Sequence, residues 1–536
     1  MIAWTDHLVI APIVVPMLAG AAMILAGDRR RSATAVIGLA STLLLVALAV
    51  LLVAIADTPE VRLYRLGDWP VRFGIVLVLD RLSALMLLLT AILGLAAFVF
   101  SLARWHRGGA YFHPLFQFQL MGLNGAFLTG DLFNLFVFFE VMLAASYGMA
   151  LHGSGTARVR AGLHYIVINL VTSLLFLIGV SVVYGVAGTL NMADLATRMR
   201  SVAVEDRALL EAGVAALGVA FLAKAAMWPL GFWLAPTYAA ATAPAAAILS
   251  ILSKVGIYAV LRVWLLLFGP DAGDSAGFGG NALLVGGLLT IAYGSIAVLA
   301  TQDLPRLAGA SVLVSSGTML AAIGAGGSAV TAGALFYLVS SVLAIGAFFL
   351  LIELTERGRE VGADVLAVTR EAFGTGEEAE DPEDVEEVGV AIPGTVAILG
   401  FAFLCCALLL AGLPPLSGFL AKFAMLSPLF GGAQAMLPAT SWLLVAAFIL
   451  SGLATVIAMV RSGIEIFWAA PVARTPRVAL VEILPVGLLL FLCAALTVGA
   501  GPALAYMQAT AEALHAPAAY LQGVIGEPAT LPGGRP

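Results

Sequence analysis

The sequence predicts an all-α polytopic membrane protein of about fourteen transmembrane helices, and three observations lead there. The chain of 536 residues is 62% hydrophobic and only 11% charged, with a mean hydropathy of +1.05, too apolar for a water-soluble globule of that length. Runs long enough to cross a hydrocarbon core of about 30 Å, which takes roughly 20 apolar helical residues, recur from one end to the other. Two of these runs are interrupted by proline and glycine, and such irregular backbone survives at membrane depth only where protein or a water-filled cavity surrounds it.

The apolar runs begin near residues 8, 34, 77, 112, 131, 162, 208, 243, 281, 307, 330, 394, 440 and 478. An even number places both termini on one side. The loops after spans 1, 3, 5, 9, 11 and 13 hold about twice as many arginines as the loops after spans 2 and 6 and the C-terminal tail together. By the positive-inside rule the odd-numbered loops are cytoplasmic and both termini lie outside, in the periplasm if this is a bacterial inner membrane. The first residues, MIAWTDHLVIAP, carry no basic region and lead to no small-residue cleavage site, so a retained first helix is expected. The segment 355–390 is the one long polar stretch, and its acidic second half reads as a solvated cytoplasmic loop. After the last span, GPALAYMQATAEALHAPAAYLQGVIG is expected to form a helix on the outer surface or against a partner, followed by a disordered tail.

The three cysteines, Cys405, Cys406 and Cys493, sit in apolar runs with no CxxC or Cys/His grouping, so no disulfide, iron–sulfur cluster or other metal site is expected. No cofactor motif and no nucleic-acid signature is present; the lipid bilayer is the obligatory partner. The net charge of −6 comes largely from the acidic loop.

Lysine is rare and misplaced by the usual rules. Lys224, Lys254 and Lys422 are the only three in the chain, and each lies inside an apolar run. A lysine at the bilayer centre costs about 2.5–3.5 kcal/mol on insertion scales, so its retention points to function. Unlike arginine, a desolvated lysine can give up its proton. The breaks flank these residues: Pro229 and Gly231 follow Lys224, whereas Pro414, Pro415 and Gly418 precede Lys422. The tetrapeptide FLAK recurs at 221–224 and 419–422, and paired interruptions of this kind point to an inverted-repeat transporter.

Span 5, TGDLFNLFVFFEVMLAASYGMAL, places Glu140 near mid-membrane, with Asp131 and Asn134 toward its outer end. Helical geometry turns Asp131 and Glu140 to roughly opposite faces, so they do not share one proton. Glu140 is the counter-charge expected for Lys224. Close approach keeps both ionised, and separation favours the neutral amine, which together make a switch. The competing reading is a static ion pair that fixes helix packing. His164 and His113, at the starts of spans 6 and 4, are candidates for proton uptake from the cytoplasm or else interfacial histidines. Arg262 reads as a surface-near residue, Asp80 and Arg81 as membrane-edge anchors, Asp303 with Arg306 as a loop pair, and GAGG at 324–327 as a close helix contact.

Three stretches, GDLFNLFVFFEVMLAASYGMALHG, FLAKAAMWPLGFWLAPTY with its continuation APAAAILSILSKVGIYAVLRV, and GLPPLSGFLAKF, closely resemble the D-type member of the Mrp multisubunit cation/proton antiporters, most of all the Pha potassium/proton branch. That family is similar to the antiporter-like subunits of respiratory complex I and of membrane-bound hydrogenases. The resemblance implies fourteen helices with two inverted five-helix repeats. It divides the chain into helices 1–3 over 1–110, repeats over 111–270 and 271–470, and helix 14 with the tail over 471–536. It implies that Glu140 and Lys224 are a coupled pair, Lys254 a central relay and Lys422 a terminal one. It further implies partner subunits of the A/B, C, E, F and G types, with H⁺ and Na⁺ or K⁺ as the ions moved. A proton-pumping subunit of a complex I-type NADH:quinone oxidoreductase or membrane hydrogenase is the alternative. Where many relatives carry histidines and a lysine in span 11, this chain has FYLVSSVLAIGAFF, and it has DLPRLAGASVLVSSG where relatives often have a lysine. The link from Lys254 to Lys422 is therefore expected to run through water and hydroxyls, with Ser315, Ser316, Thr318, Ser340 and Ser341 as candidates.

Overall fold

The structure is a computed structural model that describes residues 6–27, 30–71, 74–105, 111–200, 202–270, 272–357, 394–430, 439–469 and 478–526. It is mostly helical. The N-terminal helices are α1 (Ala11–Ala26), α2 (Arg31–Ala56) and α3 (Arg81–Ser101). Next come α4 (Phe112–Leu128), α5 (Leu132–Ala150), α6 (Thr156–Ala187), the short amphipathic α7 (Met192–Met199) and α8 (Val204–Lys224). After the first break the chain continues as α9 (Leu234–Ala240), α10 (Ala243–Leu249) and α11 (Leu252–Ala259), then a π turn over Val260–Trp264 and α12 (Leu265–Leu267). The second half runs through α13 (Gly280–Ala300), α14 (Leu304–Ala325), α15 (Ser328–Glu356), α16 (Gly394–Ala411), α17 (Ser417–Phe430), α18 (Ala439–Ile464) and α19 (Leu480–Val498), and ends with α20 (Ala500–His515) and α21 (Ala518–Ile525).

Each of the fourteen expected starts falls in or beside a helix, yet among the described residues eleven helices are long and apolar enough to cross a membrane; Ala11–Ala26 and Ser417–Phe430 are apolar but shorter. One start needs correcting. The run near 77 opens as a strand: β1 (Arg62–Arg65) pairs antiparallel with β2 (Val76–Leu79), Tyr64 opposite Leu77. Four residues of alternating Val and Leu with a paired partner favour a strand. Helix α3 begins only after Asp80, whose carboxylate accepts from the Ser83 amide at 2.9 Å while the Ser83 hydroxyl accepts from the Asp80 amide at 2.9 Å. The N-terminal turn Asp6–Leu8 and α21 both pack on β1, so the two described ends of the chain meet on one face. Most of the acidic loop and the last ten residues lie outside the described residues.

The helices sort by burial. All of the most apolar window in 243–267 and 94% of that in α14 and α15 are buried, against 33% in α2 and 39% in α6. Helices apolar on every side belong either in a core or against lipid. Here α10 to α12, α14 and α15 form the core, and these are the elements that carry Lys254 and the serines. The close contact expected at GAGG is made by Gly324 alone, where a Cβ would lie 2.3 Å from the Leu284 amide nitrogen of α13; Gly326 and Gly327 have positive φ and face open space. The contact between α8 and α11 is tighter in its consequences. A methyl on Gly256 would sit 2.5 Å from the Ala225 nitrogen and 2.7 Å from the Phe221 oxygen, backbone that cannot step aside. Gly256→Ala is therefore expected to destabilise the protein by about 1–3 kcal/mol, seen as a lowered melting temperature of the purified complex. An unchanged melting temperature would show that α11 does not rest on the end of α8.

Candidate functional site

Helix α8 stops at Lys224. Two residues on, Ala226 takes a left-handed conformation with φ of 58°, and the peptide before Pro229 is cis. Lys224 therefore occupies the last turn of a half-helix, where unpaired carbonyls concentrate negative potential and favour a cation. The residue is 5% exposed. Its Nζ makes no hydrogen bond and faces the ring of Phe139, 5.0 Å from the centroid. Glu140, the next residue on α5, accepts a hydrogen bond from the Ser173 hydroxyl of α6. It acts on Lys224 electrostatically, and no ion pair within 4.0 Å joins the two among the described residues. Phe139, Phe176 and Phe221 form the wall around the lysine, with centroids 5.5–6.4 Å apart.

Lys254 is fully buried. Its Nζ donates to the Ser315 hydroxyl of α14 at 2.8 Å, and Ser315 donates to Ser341 of α15 at 3.1 Å. Adjacent residues on a helix point about 100° apart, so Ser340 faces another neighbour: its hydroxyl lies 2.8 Å from that of Ser417, the first residue of α17. Between the two serine pairs is a cavity of about 10 Å³ lined by Ser315, Tyr337, Ser340, Ser341, Gly418 and Thr455, on the order of the space one water needs. The other candidates play smaller parts. Ser316 is buried without a hydrogen-bond partner, and Thr318 donates to the Val314 carbonyl of its own helix at 2.8 Å.

The second break leaves α16 with an orphan carbonyl at Ala411, and the Lys422 Nζ donates to it at 2.9 Å. Gly412, with φ of 74°, turns the chain there. A side chain on it would collide with Lys422, whose Cδ lies 2.7 Å from where the Cβ would stand. The Pro414–Pro415 peptide is cis. Lys224 and Lys422 thus share a position although proline follows one and precedes the other: each ammonium group lies at the C-terminal end of the first half of a broken helix.

The remaining sequence candidates disperse. Asp131 caps α5 by accepting from the Asn134 amide at 2.8 Å, and Asn134 donates to Thr129 at 3.0 Å; neither bonds to Glu140. His164 is exposed, its Nδ1 2.8 Å from the Arg160 carbonyl oxygen. His113 is buried against Phe98, centroids 5.0 Å apart. Asp303 and Arg306 pair at 3.4 Å, as expected of a loop pair.

Two readings need correction. Arg262 is not near the surface: it is 5% exposed and grips Asp80 with both terminal nitrogens, at 2.5 and 2.7 Å, beneath the ring of Tyr520. Asp80, its side chain 17% exposed, is therefore the half-buried partner of a buried arginine rather than an edge anchor, while Arg81 does form a more exposed pair with Asp57 at 3.0 Å. Sequence reasoning also missed Ser173 and Ser417, uncharged residues that only their neighbours single out. A cluster in which Arg357 bridges Glu353 and Glu482 and Trp105 donates to Glu353 at 2.6 Å was missed as well.

Residues 129–454, which include Glu140 and all three lysines, match the family model described as NADH:quinone oxidoreductase/Mrp antiporter, transmembrane. The chain belongs to this family. Within the NADH:quinone oxidoreductase/Mrp antiporter family it is 58% identical to the probable D-type subunit of the K(+)/H(+) antiporter of Rhizobium meliloti (strain 1021), over 98% of this chain and 99% of that one. It is 32% identical to the D-type subunit of the Na(+)/H(+) antiporter of Alkalihalophilus pseudofirmus, over 97% and 100%. Its fold matches a chain of the Mrp complex from Dietzia sp. DQ12-45-1b with a TM-score of 0.82 at 24% identity, covering 98% of this chain and 100% of that one. The resemblance read from three motifs thus extends over nearly the whole family member.

Proposed function

We infer that this chain is the D-type subunit of a multisubunit monovalent cation/proton antiporter of the bacterial cell membrane. It works beside A/B, C, E, F and G type subunits and conducts the protons whose entry is exchanged for K⁺ or Na⁺. The observation that carries this reading is the hydroxyl-bridged placement of Lys254 in an apolar core, between two further lysines held at broken helix ends. Keeping ammonium groups in so apolar a place costs several kcal/mol, a cost that a function explains. Glu140 is the switch. Held by Ser173, it leaves Lys224 without a bonded counter-charge and favours release of a proton; swung toward Lys224, it favours recapture. Released protons pass to Lys254, then by Ser315, Ser341, one water and the Ser340–Ser417 pair toward Lys422. Relatives named as antiporter subunits favour exchange over a redox-driven pump.

The test is cation-dependent collapse of a pH gradient in vesicles holding the full complex. Addition of K⁺ or Na⁺ is expected to dissipate the gradient with the wild-type chain and not with Lys224→Ala; no response in wild type would refute antiport. The path makes its own prediction. Ser315→Ala removes a hydrogen bond to a charged group, on the order of 1.5–3 kcal/mol, and is expected to slow exchange about tenfold, Ser341→Ala somewhat less. Wild-type rates in both would take protons off this route.

A further inference from the structure

A cleft of about 920 Å³ opens between α6, α9 and the turn from α13 to α14, apart from the lysines. It exists because the chain is broken after Lys224. The half-helix α9 that follows is only seven residues long and presents Ala235, Ala239 and Ala240 as a thin floor. Next in sequence to the lining residues His164 and Ala297, Leu163 on α6 and Ile296 on α13, with Val167 one turn along α6, are 49–67% exposed, apolar surface that only lipid or another apolar chain satisfies. The opposite end of the cleft is cationic. Arg160 and Arg306 line it, each within the first two turns of its helix, so two helix N-termini with their positive dipole ends stand at the same mouth. Asp303 offsets Arg306 at 3.4 Å. Arg160 has no acidic partner among the described residues, and His164 lies one turn further along α6.

We propose that this cleft holds an anionic phospholipid, its phosphate between Arg160 and Arg306 and an acyl chain along the alanine floor of α9. An apolar trough open to the bilayer with unpaired cationic charge at one end suits that amphiphile. An uncharged transmembrane helix of another subunit would bring apolar surface but leave Arg160 without a counter-charge. Because α9 is the segment directly after the break at Lys224, the lipid braces the broken helix from the membrane side.

The experiment uses the assembled complex in bilayers doped with photoactivatable phosphatidylglycerol or, separately, photoactivatable phosphatidylcholine, with cross-linked peptides read by mass spectrometry. Phosphatidylglycerol is expected to label the peptide spanning Phe232–Ala240, and Arg160→Ala with Arg306→Ala is expected to cut that labelling roughly tenfold. Phosphatidylcholine should label weakly in both. Ala239→Trp, which fills the trough without changing charge, is expected to abolish labelling as well. Equal labelling by the two lipids, or labelling untouched by the arginine variants, would reduce the cleft to ordinary lipid contact and overturn the proposal. So would recovery, by an acid-to-lysine substitution in another subunit, of complex assembly lost in Arg160→Glu, which would put a protein carboxylate where the phosphate is proposed.

Discussion

Lys224→Arg is expected to lower cation-driven proton exchange by more than about tenfold while leaving the complex assembled, although it preserves the charge. A relay site must release its proton in every cycle, and a guanidinium does not do so in proteins. A static pair that only fixes helix packing makes the opposite forecast. Arginine would keep the attraction to Glu140, and the stacking on Phe139 now made by the Lys224 ammonium at 5.0 Å would persist or improve. The same vesicle assay decides between them once assembly of the variant has been checked by co-purification. Lys224→Gln guards against a steric artefact, since it is close in size and should be equally inactive. Exchange at wild-type level in the arginine variant would remove Lys224 from the proton path.

The largest expected effect on stability lies elsewhere, at the ion pair the sequence did not reveal. Asp80→Asn leaves Arg262, 5% exposed, charged and without its carboxylate inside the protein. Breaking a buried pair from one side costs on the order of 3–5 kcal/mol. The pair joins the cap of α3 to the π turn after α11 and is roofed by Tyr520 of α21, so its loss should loosen the face where the β-hairpin and the C-terminal helices meet. The expected result is a steep fall in the amount of complex recovered from membranes. Asp80→Leu combined with Arg262→Met, which removes both charges, should recover most of it. Full recovery of complex from Asp80→Asn alone would show that water reaches the pair from the cleft of about 140 Å³ that Asp80 and Arg262 help to line.

What could be read from the sequence was what local chemistry betrays. A lysine in an apolar run needs no partner to be noticed, and Pro229, Pro414 and Pro415 announce broken helices wherever the chain goes. Glu140 stood out for the same reason. What stayed hidden depends on contacts between distant parts of the chain. Asp80 and Arg262 are 182 residues apart, Ser340 and Ser417 77, and Ser173 and Glu140 33. Each looked ordinary alone: an aspartate read as a membrane-edge anchor, an arginine near the end of a span, serines among many. The strand at 76–79 was missed because a short apolar run of Val and Leu reads equally as the start of a span until its hairpin partner is known. The serine contacts were half legible. Absence of histidine and lysine from span 11 pointed to hydroxyls, but that Ser341 meets Ser315 while Ser340 meets Ser417 is a matter of helix facing.

The central claim is that buried lysines in this protein change protonation as it works. Having only Lys224, Lys254 and Lys422 makes that directly observable. Solid-state NMR of the complex carrying lysine labelled with ¹⁵N at Nζ distinguishes ammonium from neutral amine, and single Lys→Arg variants assign each signal. The account predicts that the Lys224 and Lys254 signals pass between the two forms across the pH range in which the complex exchanges ions, and that added K⁺ or Na⁺ shifts the balance. Ammonium signals from all three that stay fixed at every pH, with transport running, would contradict it.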